Sequence, residues 1–505
     1  MDKSRGIKNT VTSISSKIIL LIGSIAVRRL LIWRLGNGAN GIHSLYVSIV
    51  GFLSLAELGI GSAISFSMYR PIVEGDKERV GALYGLFKRA YRVIGVSVFG
   101  VGFLVSFLLP YLAGGYEKSE INLFSTYFIM LFSVALSYFY GAELSLISAH
   151  KNDYIVTLIT SSAMLVQYLL QAVILIFTPS FEGYLASQTV AVGLQWLFAR
   201  LVANRLYGGI VDKRFTPLDN KASAEVKRNA GAMLMHKVGS ALVNSTDSII
   251  ISALIGVEAL GRYANYSSVI ANITAILSLI FSSLISVIGH SYVHNGVGLK
   301  SDFDKLYIVN FAVGVFFFLG FYATSEEIIA ILFGEGLELS RSIVQILSLS
   351  FFIQFMRQSV LTFRDATGQF YKDRWKPIVE GAMNLVLSVA LALMFRERFG
   401  GVYGIAGVLL ATVITNLAVC HIVEPLVLFK YSFNSGAGKH IIKSYAYIGL
   451  FTVSLLFLDR LTVSMENNFM ALFVNGAISV MVALPVIAVG VAPSLISKIR
   501  KGQSK

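Results

Sequence analysis

Residues 54–70 read SLAELGIGSAISFSMYR. The stretch lies inside a long apolar segment, yet it holds a carboxylate, Glu57, and two close glycines, Gly59 and Gly61. It closes on a cation, Arg70, and Pro71 is expected to stop the helix, because proline lacks an amide hydrogen. Ser54, Glu57, Gly61 and Ser65 recur at helical spacing and share one face. An ionisable group at bilayer depth costs roughly 2.5 kcal/mol or more, so it should face a cavity or a partner rather than lipid. Small residues beside it let a second backbone or a ligand come close.

The whole chain fits that setting. Of 505 residues, 55% are hydrophobic and 14% charged, and the mean hydropathy is +0.71. Such a composition at this length marks a polytopic membrane protein. One cysteine, Cys420, excludes an internal disulfide. The net charge of +14 could suggest nucleic acid. The placement of the cations argues instead for membrane topology, so no nucleic-acid partner is expected. No small-residue cleavage site follows the first apolar core, which is expected to remain as an anchor. The longest polar stretch is roughly 200–229.

Apolar runs long enough to span a bilayer, about 20 residues each, fall near 11–35, 41–69, 90–112, 121–147, 154–178, 183–206, 230–254, 262–289, 306–332, 342–363, 377–395, 404–429, 440–458 and 469–492. The expected fold is therefore all-α, with fourteen transmembrane helices. With the N-terminus inside, 30 of the 42 Lys and Arg residues fall on the cytoplasmic side and nine on the outer side. That asymmetry orients the chain, with both termini in the cytoplasm.

A weak internal repeat appears at a shift of 220 residues. It pairs Lys17 with Lys237, Gly36 with Gly256, Ala39 with Ala259, Gly41 with Gly261 and Tyr46 with Tyr266. Six helices per copy is an even number, so the copies keep one orientation. This predicts two six-helix lobes related by a pseudo-two-fold axis along the membrane normal, with a site between them. The expected parts are an N-terminal lobe (1–206), a cytoplasmic linker (207–229), a C-terminal lobe (230–430), and a final helix pair with a basic tail (431–505).

Polar stripes mark the first two helices of each presumed lobe. Ser13, Lys17, Ser24 and Arg28 share a face of the first span, and Lys237, Ser240, Asn244 and Asp247 a face of the seventh. The eighth span offers Asn265, Ser268 and Asn272. Gln354 and Arg357 lie in the tenth span, Glu380, Asn384 and Ser388 in the eleventh, and Thr412, Asn416 and Glu424 in the twelfth. Cations at depth suit an anionic ligand, and arginine can grip phosphate with two parallel hydrogen bonds. The blander alternatives are snorkelling for Arg28, Arg29 and Arg34, ion pairing for Lys237, Glu57 and Asp247, and helix–helix contact for the Asn and Ser stripes.

Other motifs carry little. Gly436 to Lys439 lacks the spacing of a phosphate loop. Asp302-Phe303-Asp304 is more simply a helix cap than a metal-binding DxD. His236, His290, His294 and His421 show no metal-ligand spacing. No nucleophile, base and orienting group occur in series, so no catalytic residue, metal or cofactor is expected.

Four stretches resemble the polysaccharide flippases of the Wzx type, in the multidrug/oligosaccharidyl-lipid/polysaccharide exporter superfamily. They are LAELGIGSAISFSMYRPIVEGDKERV (55–80), ALVNSTDSIIISALIGVEALGRYANY (241–266), DATGQFYKDRWKPIVEGAMNLVLS (365–388), and GIAGVLLATVITN (404–416) with Glu424-Pro425. The resemblance implies two helix bundles forming a V around a cavity open to one side at a time. It implies movement of undecaprenyl-diphosphate-linked oligosaccharide from the inner to the outer leaflet of a bacterial cytoplasmic membrane. A cationic cavity follows from it, with Arg28, Lys237 and Arg357 as the matching candidates. Lys17, Asn244 and Asn265 join them from the polar stripes. Glu57 and Asp247 are the candidates for coupling to protons or sodium. Bilayer lipids and polysaccharide polymerase machinery are the expected partners. The rival readings are a multidrug or cation antiporter on the same fold, a lipid II flippase, and a membrane enzyme, the last disfavoured by short outer loops.

Overall fold

The computed structural model describes residues 3–54, 60–118, 120–211, 245–294, 299–369 and 372–502. Every regular element among them is a helix. Eleven of the described helices are long and apolar enough to cross a bilayer. Each of the predicted spans has a helical counterpart, the seventh only over Ser245–Leu254. Hydrocarbon dictates this, since backbone N–H and C=O groups there must be bonded within their own segment. The chain is an integral membrane protein built of two compact units, 1–261 and 262–505.

The first unit contains α1 (Lys3–Leu53), α2 (Ile60–Glu74), α3 (Lys77–Ser106), α4 (Leu123–Ser137), α5 (Gly141–Ala149), α6 (Asp153–Phe177), α7 (Phe181–Val211) and α8 (Ser245–Leu254). Helix α1 packs on α6, α6 on α7, α7 on α4, α4 on α3, and α3 on α2. Tyr46 anchors the core. Its ring meets Tyr127 edge-on at 5.3 Å, and its hydroxyl donates to the Leu123 carbonyl at 2.8 Å. A buried phenol needs such a partner, because an unmet hydroxyl in an apolar interior costs about 1–3 kcal/mol.

Two boundaries differ from the sequence reading. The first two predicted spans are joined in α1, which only changes direction at Gly36 (φ 82°). Glycine turns the chain there without a loop because it has no Cβ to clash. Pro71 does not end α2, which continues to Glu74. Proline forfeits the amide hydrogen bond of its own position, yet the helix runs on for three residues, and Arg70 pairs with Glu74 across the last turn at 2.7 Å. Asp76 then caps α3, its carboxylate accepting from the Arg79 amide at 2.9 Å.

Helix α9 (Val257–His294) begins in the first unit and continues into the second. The second unit adds α10 (Leu299–Phe333), α11 (Arg341–Met356), α12 (Gln358–Ala366), α13 (Lys376–Phe399), α14 (Gly404–Thr415), α15 (His421–Tyr431), α16 (Gly438–Asp459) and α17 (Asn468–Gly502). Helix α10 packs on α11 and α17, and α13 on α14. Helix α16 is bound to α11 and α10 by aromatic stacking. Phe352 lies parallel to Phe451 at 3.8 Å, and Phe311 on Tyr447 at 3.9 Å.

The linker expected at 207–229 lies outside the described residues beyond Val211. The units part after Gly261 because the chain before it is tied to the first unit. The Gly114 amide donates to Ser252 at 3.2 Å, and the Val257 amide to Gly114 at 2.9 Å.

Candidate functional site

The second unit holds a buried cluster of four charges. Helices α11 and α12 meet at Arg357, whose amide still donates back to Gln354. The side chain leaves this joint and reaches α15 and α13. Its Nε and Nη2 donate to the two Glu424 oxygens at 3.0 and 2.6 Å. Nη1 donates to Glu380 at 3.3 Å and to Asn416 Oδ1 at 2.7 Å. Lys376 Nζ sits between the same acids, 2.6 Å from Glu424 and 2.7 Å from Glu380. Three of the five positions are backbone irregularities. Arg357 lies at a helix joint, Lys376 begins α13 beside Pro377, and Asn416 opens the single π-turn 416–420 that links α14 to α15. A π-turn swings side chains off the regular α-helical register.

Two cations and two carboxylates leave the cluster neutral. Each ion loses hydration worth several kcal/mol, which the bidentate geometry and added hydrogen bonds offset. His421 packs beside it, bonded to the Ile353 carbonyl and the Ser444 hydroxyl, both at 3.0 Å. Arg364, two turns further along α12, pairs with Asp373 at 2.8 Å. The sequence singled out Arg357 as a cation for an anionic ligand. In the structure its guanidinium is already engaged by Glu424 and Glu380, so a diphosphate would have to displace a carboxylate to reach it.

In the first unit Arg28 is half-buried on α1, facing Tyr184 and Tyr168. The Tyr184 ring is also held edge-on by His43 at 5.4 Å. Lys17, on the same stripe, is exposed. Arg34 plays a structural part. Its Nε donates to the Leu175 carbonyl at 2.9 Å and Nη2 to Ile176 at 3.1 Å, closing the C-terminus of α6. Asp247 on α8 and Asn265 on α9 are buried. Lys237, Asn244 and Glu57 lie outside the described residues. Lys17, Arg28 and Asp247 thus belong to the first unit, Arg357 and Asn265 to the second.

The repeated turn is the third feature. Gly36 and Gly256, matched by the 220-residue shift, both adopt positive φ, 82° and 125°. The two turns then pack on each other inside the first unit. Asn37 Nδ2 donates to the Glu258 carbonyl at 2.8 Å and to its carboxylate at 2.9 Å. Asn40 Nδ2 donates to the Gly261 carbonyl at 3.1 Å. The matched segments 36–41 and 256–261 therefore meet about a local two-fold.

Sequence reasoning missed several residues. Lys376 sat at the edge of a basic loop and read as a topology signal. Glu143, a carboxylate that is 1% exposed in α5, drew no attention. Its partners lie more than fifty positions away, so local spacing carries no trace of them.

Neither a protein-family model nor a curated protein matches the sequence. Solved structures do match. The lipid II flippase MurJ, in an inward closed conformation, superposes with a TM-score of 0.65 at 13% identity, covering 97% of this chain and 100% of that one. An inward-facing multidrug resistance MATE family transporter of the MOP superfamily gives 0.62 at 14% identity, over 81% of this chain and 96% of that one. The Vibrio cholerae MATE transporter VcmN gives 0.51 at 14% identity, over 86% and 99%. The fold is that of the MOP superfamily transporters. Within this MOP fold, the flippase likeness leaves only about 15 residues of the chain unmatched, so it must include most of α16 and α17. The first MATE likeness leaves about 96 residues unmatched, enough to omit both helices.

Proposed function

We propose that this chain is a flippase of the MOP fold. It would carry an undecaprenyl-diphosphate-linked oligosaccharide from the inner to the outer leaflet of a bacterial cytoplasmic membrane, for surface polysaccharide assembly. The observation that carries the reading is the likeness to a lipid flippase along essentially the whole chain, the final helix pair included. The four sequence stretches that resemble Wzx-type flippases favour a cargo of the polysaccharide branch over the alternative, lipid II. A diphosphate and several sugars cannot cross hydrocarbon unaided, so a polar chamber must receive the head group while the polyprenyl tail stays in lipid.

In this reading Arg28 supplies cationic character to the chamber, and Lys237, Lys17, Asn244 and Asn265 stay the further candidates that the sequence offers. The Arg357 cluster serves as a neutral internal brace. The seam of turns 36–41 and 256–261 is assigned to the outer face by the charge rule and holds the first unit together there. Membrane potential could drive an anionic cargo outward, since one charge across 100 mV is worth about 2.3 kcal/mol. Glu57 and Asp247 are the coupling candidates should a proton or sodium ion also move. A cation antiporter would need an acid-dominated chamber, whereas Glu380 and Glu424 are both bound by Arg357 and Lys376.

The test is a leaflet-accessibility assay in proteoliposomes, with lipid-linked oligosaccharide loaded into one leaflet. The expected result is protein-dependent appearance of the sugar in the other leaflet. Transfer at the rate of empty liposomes, with correctly folded protein, overturns the proposal.

A further inference from the structure

The first unit carries a cationic pocket that the transport reading does not use. It has a volume of about 470 Å³ and is walled by α3, by the link between α4 and α5, by α5 and by α7. Lys88 and Arg92 face it from successive turns of α3, and Arg200 from α7. Among the described residues its lining holds one carboxylate, Glu143. Glu143 Oε1 accepts from the Tyr84 hydroxyl at 2.9 Å and lies 3.3 Å from Arg200 and 3.7 Å from Lys88. Among the described lining residues three cations face one acid, a formal excess of two positive charges.

Its depth can be read from the helices. Val93 to Ser106, the uncharged end of α3, rises about 21 Å at 1.5 Å per residue, and the chain stays free of charged residues to Leu112, so the run covers most of a hydrocarbon layer about 30 Å thick. Arg92 therefore sits where that layer ends. Arg200 likewise ends the uncharged run 183–199 of α7. The charge rule assigns this end to the cytoplasm. The lining adds Trp196, a side chain suited to the interface because one edge is apolar and the other can donate a hydrogen bond. Outward of the cations the same faces continue as exposed apolar side chains, Val96 and Phe103 on α3 and Val190 and Leu197 on α7.

We propose that this pocket binds a lipid-borne phosphate in the cytoplasmic leaflet, with the phosphate held by Lys88, Arg92 and Arg200 and an acyl or prenyl chain lying along the apolar strip above. A lining with more cations than acids at headgroup depth suits an anionic phosphate. The adjoining strip favours a lipid over a free ion. The phosphate could belong to an anionic glycerophospholipid of the bilayer or to a polyprenyl diphosphate, and the experiment separates them. The inference requires that the chain spans a membrane with this end in the cytoplasm, so it stands or falls apart from the cargo proposed above.

The test uses the full chain in nanodiscs, with Trp33→Phe and Trp375→Phe leaving Trp196 as the sole indole. Lipid brominated on the acyl chain quenches an indole it touches. Brominated phosphatidylglycerol, diluted into phosphatidylcholine, is expected to quench Trp196 more than brominated phosphatidylcholine at equal fraction. Arg92→Gln, which leaves the Glu143–Arg200 pair intact, should cut that preference about fivefold. Unbrominated undecaprenyl diphosphate that removes the excess quenching assigns the site to the polyprenyl carrier, and failure to compete assigns it to bilayer phospholipid. Equal quenching by the two brominated lipids, or a preference unchanged by Arg92→Gln, overturns the proposal. Loss of the preference in millimolar inorganic phosphate, under ionic strength held constant, overturns its lipid half.

Discussion

Gly41 and Gly261, 220 residues apart in sequence, face each other's turns so closely that neither position has room for a side chain. A Cβ on Gly261 would lie 2.5 Å from the Asn37 carbonyl, and one on Gly41 would run into the carbonyl of Val257. Asn37 and Val257 are themselves related by the same shift, so the contact is reciprocal. Gly41→Ala should cost about 1–3 kcal/mol, since the obstacle is backbone rather than a side chain able to move. Gly449→Ala, at a helical glycine with nothing within 4 Å, should be neutral or stabilising by about 0.5–1 kcal/mol. Thermal unfolding in detergent compares the two, and equal stability of both variants would count against a tight seam.

The Arg357 cluster makes a different prediction. Glu424→Gln leaves Arg357 and Lys376 sharing Glu380 alone. Breaking a buried pair in this way costs about 3–5 kcal/mol. Replacing Arg357 by Met together with Glu424 by Leu leaves Lys376 and Glu380 as a closed pair. That double variant should lose markedly less stability than the sum of its single variants. A double-mutant cycle on unfolding free energies measures the difference. Simple additivity would show that the four charges do not act as a unit.

Arg28 and Arg357, both candidates for a cationic chamber, should separate by assay. Arg28→Gln is expected to keep the unfolding temperature and reduce flipping in the leaflet assay by tenfold or more, equivalent to about 1.4 kcal/mol of lost cargo binding. Arg357→Gln is expected to lower the unfolding temperature first. Flipping by Arg28→Gln at the wild-type rate would remove Arg28 from the site.

The helical plan was open to reading because hydrocarbon thickness sets a run length and hides no backbone group. Breaks within spans were not. The fourth span divides between Ser137 and Gly141, and the tenth at Arg357. Neither tenth-span joint residue is a glycine or proline, so the break comes from tertiary bonding that local sequence does not encode. The turn at 36–41 and its copy at 256–261 were visible because both need glycine where φ is positive and where backbones meet. The charge cluster was seen only in pieces. Arg357, Glu380 and Glu424 stood out as ions at depth, but the partnership of Arg357 with Glu424 spans 67 positions. Lys376 was indistinguishable from the basic residues that set topology. An arginine alone looks like a ligand site, and its partners change that meaning.

Orientation underlies both the face assigned to the glycine seam and the leaflet assigned to the phosphate pocket, and the lone cysteine makes it measurable. Cys420 is fully buried, so the native chain should resist maleimide labelling and react only after unfolding in detergent. Single cysteines can then be added on that silent background. Gly436→Cys lies in the exposed turn between α15 and α16, and Glu335→Cys in the exposed turn after α10. The charge rule places the first in the cytoplasm and the second outside. In intact cells a membrane-impermeant maleimide should label Glu335→Cys and spare Gly436→Cys, and permeabilisation should make both react. The opposite pattern would invert the topology. The seam at Gly41 and Gly261 would then face the cytoplasm, and the cations at Lys88, Arg92 and Arg200 would face the outer leaflet.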